Sequence, residues 1–115
     1  MYIRTQAALA VGVSVIILGG YFMNIISLNF PDDLHHIAGK DFGIEVYQRQ
    51  IKDKIIEDEQ NILKFPEHVR GVSISFIQGL LSGIQSDFSP LTQQLLTLKG
   101  STEKLDKRLD LGRKF

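Results

Sequence analysis

The sequence predicts an α/β fold: a small βαβαβα sheet covered by helices and preceded by an apolar N-terminal segment. Three observations lead there. Short apolar runs ("ISLNF", "NILKF", "QQLLTLKG") have the length and composition of strands. Between and after them lie longer stretches whose apolar residues recur every three or four positions, the spacing of one helix face. Strands separated by helices of that length pair in parallel through crossover connections, so one sheet with helices packed on it is expected. The 115 residues suit one domain with a modest core.

The N-terminus is the largest departure in composition. No charged residue occurs between Arg4 and Asp32, and "AALAVGVSVIILGGYFMNIISL" is 22 residues of mostly apolar chain. That is about the length a bilayer core requires of a helix. Arg4 ahead of the run agrees with a cytoplasmic N-terminus. The same residues also read as a hairpin. "VSVIIL" and "YFMNIISLNF" are rich in β-branched and aromatic residues, and Gly19-Gly20 between them accept the positive φ of a tight turn. A membrane span over residues 6–28 and a buried hairpin both stay open. The expected division is an apolar segment over residues 1–28 and an α/β domain over 29–115, with the joint near Asn29 to Asp33.

After Phe30, "PDDLHHIAGK" reads as a loop. "DFGIEVYQRQIKDKIIEDEQ" reads as a helix, because Ile44, Tyr47, Ile51 and Ile55 form one apolar stripe, and Asp41 is placed to cap it. "NILKF" is a strand stopped by Pro66, and "PEHVRG" is a loop. "SISFIQGLLSGIQ" returns to helical spacing, with Ile77, Leu80, Leu81 and Ile84 on one face. Ser75 and Gln78 stand at the spacing of a capping box. "SDFSP" breaks the chain and "QQLLTLKG" forms the next strand. "STEKLDKRLDLGRKF" forms a last helix, capped by Ser101 or Thr102.

Composition narrows the chemistry. With no cysteine there is neither a disulfide framework nor a thiolate metal site. Thirteen basic residues balance thirteen acidic ones, which gives no bias toward nucleic acid. From Lys99 to Phe115, six Lys/Arg stand against three Asp/Glu, a local excess of +3 that reads as a solvated amphipathic tail. No Ser–His–Asp order, glycine-rich phosphate loop or helix-borne metal motif is present. Asp32, Asp33, His35 and His36 are neighbours in one loop, and adjacent residues rarely converge on one ion, so a solvated loop is expected there. A lone His68 reads as a loop residue. Gly79 and Gly83 form a G-x-x-x-G pair, expected to be a tight packing face. No catalytic residue, metal or cofactor is nominated, and the chain is not expected to be an enzyme.

Four segments, covering about residues 25 to 111, resemble the STAS domain, and most of all the small bacterial and prophage STAS-like proteins. "ISLNF" stands where that family has its first core strand and "NILKFP" where it has its central one. "GVSISFIQGLLSGI" stands for the following loop and helix, with serines directly before Phe, and "LLTLKGSTEKLDKRL" for the final strand, turn and helix. Lys64 departs from the aspartate usual in the central strand, the loop from Pro66 to Val72 is one residue longer, and the apolar N-terminus is additional. The resemblance implies a regulatory protein–protein interaction module, distantly like the anti-sigma factor antagonists. In those proteins a serine or threonine at the start of the second helix accepts phosphate and a partner kinase docks around that helix. Ser75 best matches the acceptor, Ser73 is second, and Phe76 and Gln78 complete the expected partner-binding set. Read from the residues alone, these serines are helix caps, or contacts for an anion at a helix N-terminus.

The expected function is therefore a STAS-like docking module, cytoplasmic or held at a membrane by a single N-terminal span. The alternative is a small accessory subunit of a membrane complex, with no switch of its own. A third possibility is a domain whose N-terminal hairpin completes the sheet.

Overall fold

The structure, a computed structural model, describes the backbone of residues 13–18 and 21–114 and the side chains from Met23 to Lys114. The chain is mixed α/β, with three parallel strands and helices around them. Strands β1 (Val13–Leu18) and β2 (Tyr21–Ser27) pair antiparallel, from Leu18 opposite Tyr21 to Val13 opposite Ile26. Antiparallel pairing of these two strands is the arrangement that the hairpin reading expects. Arg4, residues 6–12 and Gly19-Gly20, which also entered that expectation, lie outside the described residues. Among the described residues no helix is long and apolar enough to cross a membrane.

From β2 the chain alternates as expected. A short strand, β3 (His36–Ile37), leads into α1 (Lys40–Val46) and one wide π turn (Tyr47–Ile51). Strand β4 (Gln60–Lys64) follows, then β5 (Gly71–Val72), α2 (Ile74–Asp87), α3 (Pro90–Gln94), β6 (Leu96–Lys99) and α4 (Glu103–Arg113). The main sheet runs β1-β2-β4-β6. Strands β2 and β4 are parallel, with Met23 opposite Gln60, and β4 and β6 are parallel, with Asn61 opposite Leu96. The two-residue strands β3 and β5 form a separate parallel ribbon, His36 opposite Gly71 and Ile37 opposite Val72.

Strand alternation decides which residues meet the helices. Ile26 and Leu28, Leu63 and Phe65, and Leu96 and Leu98 are all buried in one core. They meet Val46, Tyr47 and Ile51, then Phe76, Ile77, Leu80 and Ile84 of α2, and Leu105 and Leu109 of α4. Met23, Ile25, Ile62 and Thr97, of opposite parity, lie outside that cluster. At the carboxyl end of the core, Phe76 meets three rings: Phe42 at 5.5 Å, Phe30 at 6.2 Å and Phe65 at 6.3 Å between centroids, all edge-on. Edge-on pairs at this distance match the positive rim of one ring to the negative face of the next.

Helices α1 and α2 approach through glycine. A Cβ on Gly79 would collide with the carbonyl oxygen of Lys40, and one on Gly43 with the carbonyl oxygen of Phe76. Gly83 lies against the ring of Tyr47 in the same way. The G-x-x-x-G pair is thus the tight packing face that its spacing predicts. Tyr47 is buried there and its hydroxyl donates to Asp87 Oδ2 at 2.6 Å.

Three elements differ from expectation. The helix predicted to run through Gln60 stops far earlier. Lys52 N–H reaches back to Tyr47 O at 2.9 Å, one residue beyond α-helical reach, and the chain then turns. Buried asparagines take over the freed backbone groups. Asn61 Oδ1 accepts from Ile56 N–H at 3.0 Å and its Nδ2 donates to Ile56 O at 2.8 Å. Asn24 Nδ2 donates to Lys54 O and to Asn61 Oδ1, each at 2.8 Å. Second, α1 begins at Gly39, in left-handed backbone with φ 103°, and no side chain caps it, so Asp41 lies in the first turn instead. Third, "SDFSP" does not simply break the chain. Ser89 Oγ accepts from Thr92 N–H at 3.2 Å and Pro90 opens α3. Proline there loses no bond, since its missing N–H would have had no partner in the first turn.

Candidate functional site

All three parallel strands run the same way, so the segments that follow them gather at one edge of the sheet. These are residues 28–39 after β2, 65–73 after β4 and 100–102 after β6. Open α/β sheets place ligands and partners beyond the carboxyl ends of their strands. The start of α2 lies at this edge.

The local sequence builds that start from Ser73. Its backbone is extended, with φ −75° and ψ 154°, and its N–H donates to Ile37 O at 2.8 Å across the β3–β5 ribbon. Its Oγ accepts from Phe76 N–H at 3.2 Å, which makes Ser73 the cap of α2. The cap expected at Ser75 therefore lies two residues earlier, and with Phe76 at the third helical position the Ser75–Gln78 capping box does not form. Ser75 lies in the first turn, exposed, with its Oγ 2.9 Å from that of Ser73. Gln78 is exposed one turn on. Phe76 is fully buried among the aromatic rings, so it supports the helix from inside. Ser75 and Gln78 are the exposed members of the four, and Ser73 is half-buried between surface and core. Lys64, at the end of β4, is exposed.

The histidines are arranged around the same loops. The His35 ring nitrogen Nδ1 is 2.8 Å from His68 O, and the two rings meet edge-on with centroids 6.3 Å apart. His68 is half-buried, and its Nε2 has no hydrogen-bond partner among the described residues. Asp32 and Asp33 form an exposed turn closed by Leu34 N–H to Pro31 O at 2.9 Å. Among the described residues no group of three His, Cys, Asp or Glu side chains could hold a metal ion.

A cleft of about 430 Å³ opens beside the α2 entrance, lined by His36–Ala38, Arg70–Ser73 and, from α4, Lys104, Leu105 and Arg108. The sequence pattern predicts a solvated tail for the basic C-terminal residues and gives Arg70 no role. Only the i, i+4 spacing of Lys104 and Arg108 hinted that two cations share one helix face.

Among the described residues, Tyr47 is the side chain whose acidity is clearly displaced. Burial raises its pKa, and the hydrogen bond to Asp87, the Asp87 charge and the Asp53 charge raise it further. That hydroxyl stays protonated and fixes the end of α2 against the π turn; it offers no base or nucleophile.

Comparison with known protein families, with curated proteins and with solved structures finds no match to this chain.

Proposed function

We propose that the chain is a non-enzymatic STAS-like regulatory module that docks another protein on the exposed start of α2, with Ser75 as its switchable hydroxyl. The observation that supports this best is the position of Ser75. It is solvent-exposed in the first turn of a fourteen-residue helix, at the carboxyl edge of a three-stranded parallel sheet. The resemblance carried by the strand, loop and helix segments points to the same residue.

The chemistry suits a switch. A phosphate on Ser75 adds about −1.5 to −2 charge and three acceptor oxygens. It would do so within the first turn of α2, where unpaired N–H groups and the helix dipole favour negative charge. Ser75 could then only accept from Ser73, whose Oγ would still be free to cap α2. Added charge of this kind alters a docking surface without unfolding the domain.

Two measurements test the reading. Phosphopeptide mapping of the chain from its native host should find phosphate on Ser75. Ser75→Asp and Ser75→Ala baits should retain different partners, and identical recovery with both would count decisively against the switch.

A further inference from the structure

The cleft beside α2 carries a charge pattern that the fold does not require. Arg70, Lys104 and Arg108 line it and are all exposed. None of the three forms an ion pair among the described residues, and no carboxylate lines the cleft. Elsewhere three cations are matched, Arg49 with Glu45 at 3.3 Å, Lys52 with Asp87 and Lys107 with Glu103, each at 4.0 Å, while the other unpaired cations among the described residues do not share this cleft. The acids of α4, Glu103, Asp106 and Asp110, line a different hollow with Lys107. Glu103 belongs to Lys107, and Asp106 Oδ1 accepts from Gly100 N–H at 2.6 Å. The whole chain is formally neutral, so this excess is local. Like charges around a concavity raise its potential and draw in anions.

We propose that this cleft binds a phosphate group, free or carried on a small organic monoester. Two guanidinium forks match the paired oxygens of phosphate, and Lys104 adds a compact charge. The cleft volume of about 430 Å³ lies within the range of roughly 300–1000 Å³ usual for small-ligand sites. Each wall comes from the segment or helix that follows one of the three parallel strands, which is where open α/β sheets hold ligands. The hydroxyl of Ser73 is already committed to capping α2, so the three cations supply the recognition. The site belongs to the isolated chain and stands whether or not a protein docks on α2.

The test is an amide chemical-shift titration of the ¹⁵N-labelled full chain at fixed ionic strength. Sodium phosphate is the probe in one arm and phenyl phosphate in the other. Saturable shifts confined to residues 36–38, 70–73 and 104–108 are expected with at least one probe. Tighter binding of phenyl phosphate assigns the site to an ester, and equal affinity assigns it to the free ion; both support the site. Arg70→Gln, Lys104→Gln and Arg108→Gln should each weaken binding about tenfold, the worth of one charge-assisted hydrogen bond. Lys107→Gln removes the same charge outside the cleft and should weaken it by less than about twofold. No saturable shift up to about 10 mM of either probe, a range that would detect a weak site, overturns the proposal. So does an equal loss on Lys107→Gln.

Discussion

Replacing Gly79 by alanine should destabilise the protein even though alanine is the better helix former. In the middle of α2 the change gains about 1 kcal/mol of helix propensity. Against that, the new methyl would collide with Lys40 O, with Lys40 C at 2.9 Å and Lys40 Cα at 3.1 Å. Real Cβ atoms essentially never come within 3.0 Å of another heavy atom, and the obstacle is backbone, which cannot rotate aside. Helix α1 must move away, and it cannot do so alone, because Gly43 on α1 is pressed equally close to the Phe76 carbonyl. Overpacking costs about 1–3 kcal/mol, and a rigid obstacle places this case at the upper end. The net loss is about 2 kcal/mol, or about 1 M in the urea midpoint for a chain of this size. Gly112→Ala is the control. Its methyl would meet the Cδ1 end of the Ile77 side chain, which can shift, so the loss should be smaller. Urea unfolding followed by circular dichroism measures both. A Gly79→Ala midpoint at or above wild type would refute the reasoning, because α1 would then be free to move and the placement of the α2 entrance would not depend on that contact.

Ser73→Ala should lower stability by about 1 kcal/mol through loss of the cap, whereas Ser75→Ala should stay within about 0.5 kcal/mol; denaturant midpoints for the pair would distinguish the cap from the exposed hydroxyl. Asn61→Ala should cost roughly 3 kcal/mol in the same assay, because it strands the half-buried N–H and C=O of Ile56 and a buried donor of Asn24 together. Tyr47→Phe should cost about 1 kcal/mol at neutral pH through loss of the bond to Asp87. The raised pKa of Tyr47 also fixes a pH dependence. The folded chain holds this proton above pH 10.0, where the unfolded chain releases it, so the contribution is complete below 10.0 and is lost as pH rises further. Guanidinium unfolding at several alkaline pH values should show a shallower decline in Tyr47→Phe than in wild type.

The parts of the fold that are legible in the sequence are those fixed by local pattern. Strand β4 ends beside Pro66, β6 lies within the predicted apolar run, and α2 and α4 follow from helical spacing, with Thr102 capping α4 by accepting from Leu105 N–H at 3.1 Å. The parts that are not legible depend on distant partners. Ile44, Tyr47, Ile51 and Ile55 keep helical spacing past the point where the helix ends, because what ends it is Asn61 reaching back to Ile56 and Asn24 crossing to Lys54. A two-residue ribbon such as β3–β5 leaves no periodic trace at all. The Ser-Pro signal for α3 stands in the sequence within a segment whose composition also predicts a break. At the site, the serines were legible as a helix start, but which of them caps was not. That depends on Ser73 being held extended by its bond to Ile37. The basic cleft was invisible because Arg70 lies far from Lys104 and Arg108 in the chain, and only the parallel order of β4 and β6 brings them together.

The β3–β5 ribbon has a mechanical consequence. His35 O accepts from both Arg70 N–H at 2.7 Å and Gly71 N–H at 3.1 Å, and Ile37 O accepts from Ser73 N–H. These bonds buckle the lead-in of α1 to the lead-in of α2, like two straps on one clasp. Neither strap can lift without unfastening the other. The segment that carries Arg70 is therefore tied by its backbone to the one that runs into Gly39, from which α1 starts, and the two helix entrances share one fastening outside the core.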